Sequence, residues 1–101
     1  MPSVFQVLAD DTRRDVLGIL ADEELTAGQV GTHFDLTRQA VSHHLQRLRE
    51  AGLVEERREG TRRYYRARPE GLVEVASFVD RFWRARLDAL GRAVDAATSE
   101  T

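Results

Sequence analysis

Residues 37–68 read TRQAVSHHLQRLREAGLVEERREGTRRYYRAR, and the order of elements in this stretch decides the fold. Thr37 suits a helix N-cap, because its hydroxyl can accept from one of the first free backbone N–H groups. Behind it Val41, Leu45 and Leu48 fall at i, i+4 and i+7, which gathers them on one helical face. Gly52 follows Ala51 as a left-handed stop. The spacing predicts a helix from about Arg38 to Ala51 with one core-facing stripe. At about 100° per residue, Gln39, Ser42, His43 and Gln46 collect on the opposite face, with no carboxylate among them. Short hydrogen-bonding side chains of this kind match base-pair edges. Residues 53–59 and 61–68 then read as two strands broken at Gly60, carrying Arg57, Arg58, Arg62, Arg63 and Arg66. Those cations suit phosphates; the alternative is pairing with Glu55, Glu56 and Glu59 across the hairpin. An exposed ion pair contributes only about 0–1 kcal/mol, so phosphates could recruit the same guanidiniums at small cost. Tyr64 and Tyr65 point to opposite faces of their strand, with Tyr65 the one expected to be buried.

The whole chain carries a net charge of −2, which by itself argues against nucleic acid. Its distribution reverses that impression. Residues 37–68 hold nine arginines against four acids, a net of +5, leaving −7 on the remainder. A basic head on an acidic body is an oriented phosphate-binding surface. All fifteen basic residues are arginine, whose planar fork suits phosphate or guanine, although a genome's base composition produces the same bias. At 101 residues the chain fits a single domain spanning 1–101, with a modest core that gains from pairing with a second copy. No apolar run approaches the roughly 20 residues that span a bilayer. The opening MPSVFQVLADD lacks the basic region and long apolar stretch of a signal peptide, so the expected location is the cytoplasm, with no membrane partner.

Upstream, Val4, Phe5 and Leu8 predict a short first helix, and Val16, Leu17 and Leu20 a second, capped by Asp11 or by Thr12 with Asp15 completing a capping box. Thr26 and Gln29 form a capping-box pattern for a third helix reaching about Phe34, with Val30 and Phe34 inward. Residues 35–37 give the tight turn into the helix at Arg38, so the third and fourth helices make a helix-turn-helix. From Pro69 a long helix is predicted to about Ala96, with Leu72, Val75, Ala76, Val79, Phe82, Trp83, Leu87, Leu90 and Val94 in one wide stripe. The chain is thus mainly α with a small β-hairpin, about five helices plus two strands. Phe82, Trp83, Leu87 and Leu90 exceed what short helices can shelter, which implies a symmetric partner. Arg86 inside that stripe either pairs with an acid such as Asp80 or Asp88 of either chain or snorkels outward.

Three segments resemble the ArsR/SmtB family of winged helix-turn-helix repressors: LADDTRRDVLGIL at 8–20, RQAVSHHLQRLREAGLV at 38–54 and RREGTRRYYRA at 57–67. The resemblance spans nearly the whole chain. Asp11 departs from the proline that the family commonly places at the start of its second helix. The resemblance implies a homodimeric, sequence-specific regulator of double-stranded DNA, in which the first and last helices build the dimer interface. Under that reading Arg38, Gln39, Ser42, His43, Gln46, Arg57, Arg58, Arg62 and Arg63 face DNA. Val4, Phe5, Leu8, Val79, Phe82, Trp83, Leu87 and Leu90 face the second copy.

Many members of the family sense metals through a pattern like ELCVCDL in the third helix. Here residues 24–30 read ELTAGQV, with Thr26 and Gly28 at the cysteine positions and no cysteine anywhere in the 101 residues. Thiolate metal binding and thiol redox sensing are therefore excluded. Other members use His and acidic residues along the last helix, but residues 69–101 contain no histidine. No metal or other cofactor is expected, and the remaining route to regulation, apart from abundance and autoregulation, is an unidentified small-molecule effector at the dimer interface. His43 turns toward Gln39 and Gln46 and suits a DNA contact, whereas His44 turns toward Val41 and Leu48 and suits packing. Without cysteine, a glycine-rich phosphate loop or a spaced His/acid set, catalysis is not expected. The competing class is a winged-helix protein–protein interaction module that uses the long C-terminal apolar helix.

Overall fold

The helices and strands of a computed structural model, which describes residues 3–99, follow from local signals of cap, stripe and stop. Helix α1 (Val4–Val7) is capped by Ser3, and Gln6 returns a bond to the Ser3 backbone. Helix α2 (Asp11–Asp22) is capped by Asp10, whose carboxylate accepts from the Arg13 backbone N–H at 2.9 Å. That cap lies one residue before the expected Asp11 or Thr12, because the Asp10 side chain reaches the third helical N–H first. This backbone bond holds the Asp10 carboxyl below its ordinary pKa. Helix α3 (Ala27–Phe34) begins with the reciprocal Thr26–Gln29 capping box and ends at Asp35, which takes a left-handed φ of 53°. Helix α4 (Arg38–Glu50) starts at Thr37, whose hydroxyl accepts from Ala40 at 3.1 Å. It stops where Gly52 adopts φ 75°. Caps of this kind contribute about 1 kcal/mol each.

Val7, Val16, Leu20, Val30, Val41, Leu48 and Leu53 are almost completely removed from solvent, so α1 to α4 and the sheet share one core. Burying each such side chain contributes roughly 1.5–3 kcal/mol. Strands β2 (Val54–Glu59) and β3 (Arg62–Ala67) form the expected antiparallel hairpin, turning at Gly60. A third strand, β1 (Leu25–Thr26), was not expected; it pairs with the other edge of β3, Leu25 opposite Tyr65 and Thr26 opposite Tyr64. Two residues are too few to show a period of two, and they become a strand only because β3 presents an open edge. Tyr65, not Tyr64, closes the core beneath this sheet.

The C-terminal stripe is not one helix. A 3-10 turn (Pro69–Leu72) leads into α5 (Val73–Phe82), and α6 (Arg84–Ser99) follows a break at Trp83, where φ is −127° and ψ −22°. Neither glycine nor proline marks the break and the apolar stripe runs through it, so periodicity gave no sign of it. The Arg86 guanidinium donates to the Phe82 carbonyl and lies 5.7 Å over the Trp83 ring, while Asp80 pairs with Arg84 at 3.0 Å. Within its own protomer Arg86 thus takes neither Asp80 nor Asp88. Every residue of 84–98 is exposed. The radius of gyration is 17.2 Å, against about 13 Å for a closed domain of this length, because α6 projects from the core.

Candidate nucleic-acid interface

The stripe that buries Val41, Leu45 and Leu48 turns the other side of α4 outward, and Arg38, Gln39, Ser42, His43 and Gln46 are all exposed there. One open groove runs from this helix to the hairpin tip: His33 of α3, Arg38 and Ser42 of α4, and Thr61, Arg62 and Arg63 at the tip line it. The same rotation carries His44 inward. Its Nδ1 is buried without a hydrogen-bond partner among the described residues, and loss of solvent lowers its pKa against the opposing pull of Asp10. The polar face is not free of carboxylates along its whole length. Gln46 Nε2 donates to Glu50 Oε1 at 3.0 Å, since residues four apart share a helical face.

The wing arginines divide into committed and open groups. Arg57 Nε and Nη2 grip the two carboxylate oxygens of Glu24 at 2.9 and 3.1 Å, and Nη1 donates to Glu59 at 3.0 Å. Its guanidinium also lies 4.8 Å over the Tyr64 ring. These bonds hold the Glu24 carboxyl below its ordinary range and raise Arg57 further above its own. Arg58 and Arg63 face each other across the hairpin, a repulsive register. Glu56 relieves it: its side chain, only 11% exposed, lies 3.5 Å from each and 3.0 Å from Arg49 of α4. Arg66 pairs with Glu55. Among the described residues Arg62 has no ion pair. Glu56 is among the acids that the sequence offered to the wing arginines, whereas Glu24 was missed, because nothing local links it to Arg57.

A second surface lies on α1, α5 and α6. Phe82 is 49% exposed, Leu87 52% and Leu90 61%, with Phe5 and Trp83 also open. Val4 is 8% exposed and belongs to the protomer's own core, and Leu8 and Val79 are half-buried, Leu8 packed against that core. Phe78 joins the surface, its ring 5.8 Å from Phe5 and 5.3 Å from Phe82. Phe78 was absent from the predicted stripe although its spacing, four before Phe82, marks it. No helix among the described residues is long and apolar enough to cross a membrane.

This geometry has close counterparts. A family profile described as a helix-turn-helix domain matches residues 8–57. The chain is 38% identical over 97 residues to the HTH-type transcriptional regulator Rv2034 of Mycobacterium tuberculosis, covering 96% of this chain and 91% of that protein. It is similar to a crystal structure of a possible transcriptional regulator for arsenical resistance, with TM-score 0.74 and 39% identity over 92% of this chain and 97% of the other. It is also similar to the solution structure of the homodimeric winged helix-turn-helix DNA-binding domain Mb0332 of Mycobacterium bovis, a possible ArsR-family regulator, with TM-score 0.64 and 35% identity over 92% of this chain and 75% of that one. On this profile, these identities and these shared folds, the chain belongs to the ArsR family of winged helix-turn-helix transcriptional regulators.

Proposed function

We propose that this chain is a cytoplasmic, homodimeric repressor that binds a pseudo-palindromic DNA operator and blocks polymerase by occupying it. The observation that carries the reading is the groove joining the exposed polar face of α4 to the hairpin tip, where Arg62 stands without an acid partner among the described residues. Gln39, Ser42 and His43 read base edges in the major groove, Gln46 extends that face, and Arg38, Arg62 and Arg63 hold phosphates. Arg58 and Arg63 share Glu56 in free protein, and phosphates compete for them because exposed pairs are weak. Dimerisation through α1, α5 and α6 covers the exposed aromatic and leucine surface, in keeping with the homodimeric M. bovis relative. No metal signal is assigned, because the 101 residues carry neither a cysteine nor a histidine beyond His44.

The test separates phosphate contacts from base contacts. Arg62→Ala with Arg63→Ala weakens operator and random DNA alike and flattens the salt dependence, each lost contact removing roughly 0.9 from the log–log slope. Gln39→Ala costs about 1–3 kcal/mol on the operator alone, the operator being obtained first by selecting bound fragments from genomic DNA. Equal losses on both DNAs for the glutamine variant would refute the assignment of α4 as the reading element.

A further inference from the structure

Arg57 sits among the wing arginines, yet all three of its guanidinium nitrogens are engaged within the protein. We propose that Glu24 and Arg57 form a positioning pair that fixes the wing against the helix-turn-helix, and that Arg57 acts on DNA binding without touching DNA. This rests on the DNA-binding function proposed above. The sheet order is β1-β3-β2, and Glu24 immediately precedes β1 while Arg57 lies on β2. The pair therefore spans the whole sheet, with Tyr64 of β3 beneath the guanidinium. At the Glu24 end the chain runs directly into Thr26, the cap of α3. Without the pair, the strand pairing that joins the start of α3 to the wing among the described residues is the two-residue ladder of β1 with β3. A two-residue ladder resists bending poorly. The turn at Gly60 lies three residues beyond Arg57, about 10 Å along the strand. A rotation of about 15° at the pair moves that tip by roughly 2–3 Å, more than a hydrogen bond from Arg62 or Arg63 to phosphate tolerates.

The two roles predict opposite signs for one substitution. Removing an acid near a DNA surface ordinarily tightens binding, and freeing a phosphate-binding arginine tightens it further. If Glu24 instead positions the wing, Glu24→Gln weakens binding. Affinity for a labelled random-sequence duplex is measured across a salt series for Glu24→Gln, Arg57→Gln, Arg62→Ala with Arg63→Ala, and the combinations. Each single variant is expected to lose roughly fivefold in affinity with a flatter salt slope, and Glu24→Gln is expected to add nothing to Arg57→Gln or to the Arg62/Arg63 pair. Tighter binding and a steeper slope for Glu24→Gln would make Arg57 a phosphate ligand and overturn the proposal. A loss that persists undiminished in the Arg62/Arg63 background would show general destabilisation and overturn it as well. If the unmodified protein binds no DNA in a salt-dependent manner, the DNA-binding function itself falls.

Discussion

Gly71→Ala tests the joint between the helix-turn-helix and the C-terminal helices. Gly71 lies in the 3-10 turn against the end of α4, and a Cβ there would stand 2.3 Å from the Gly52 carbonyl oxygen, 2.9 Å from its carbon and 3.1 Å from Leu53 Cα. All three are backbone atoms, so no rotamer relieves the contact and the segments must separate by about 1 Å. Overpacking of this kind costs about 1–3 kcal/mol. The displacement also loads two bonds that tie the segments, Arg68 N to Leu53 O at 2.7 Å and Arg68 Nη1 to Gly52 O at 3.1 Å, each contributing about 1 kcal/mol. Against this, alanine restricts the unfolded chain and returns about 0.4–1 kcal/mol. The net expectation is a loss of about 2 kcal/mol, or roughly 8–16 °C in melting temperature for a domain of this size. Gly18→Ala is the control: nothing lies within 4 Å of its Cβ, and in the middle of α2 alanine should gain about 0.5–1 kcal/mol. Both are read by circular dichroism melts at one protomer concentration, because a dimer's melting point moves with concentration. A Gly71→Ala protein melting within about 2 °C of the unmodified one would refute the close approach.

The exposed stripe predicts that Leu87→Glu with Leu90→Glu converts a dimer into a monomer in sedimentation at micromolar concentration, with DNA affinity falling because two half-sites about 34–36 Å apart need linked heads. A monomeric unmodified protein would refute the dimer, and a variant that stays dimeric would place the interface elsewhere. His44 predicts a pH effect on stability. Burial lowers its folded-state pKa below the unfolded value of 6.5, so the unfolded chain binds more protons in that window. Stability therefore declines as pH falls from 6.5 through the folded pKa, and His44→Leu flattens that slope in urea titrations; an unchanged slope would mean that His44 is solvated.

Much of the head was legible because its signals are local. A cap at Thr37, an apolar period ending at Leu48 and a stop at Gly52 lie within one helix, and neighbouring residues decide whether a helix starts and ends. The Thr26–Gln29 box and the turn at Gly60 were readable for the same reason. The assignment of Gln39, Ser42 and His43 to an outward face followed from rotation per residue alone, and so did the inward turn of His44. The missing thiols were likewise fixed by composition, since no fold supplies a ligand atom that the chain lacks.

Tertiary structure decided what depends on partners distant in the chain. Strand β1 exists because β3 offers an edge, and two of the three Arg57 guanidinium nitrogens are held by Glu24, 33 residues away, with only the third taken by nearby Glu59. The break at Trp83 leaves the apolar stripe intact and so leaves no periodic trace. Val4 and Phe5 are adjacent apolar residues of one short helix, yet the first is buried in its own protomer and the second stays open beside Phe78. A sequence specifies which side chains prefer burial and how far apart they fall on an element. Which surface meets them, and which charge takes which partner, is set only when the elements pack, because contact energies act across space and not along the chain.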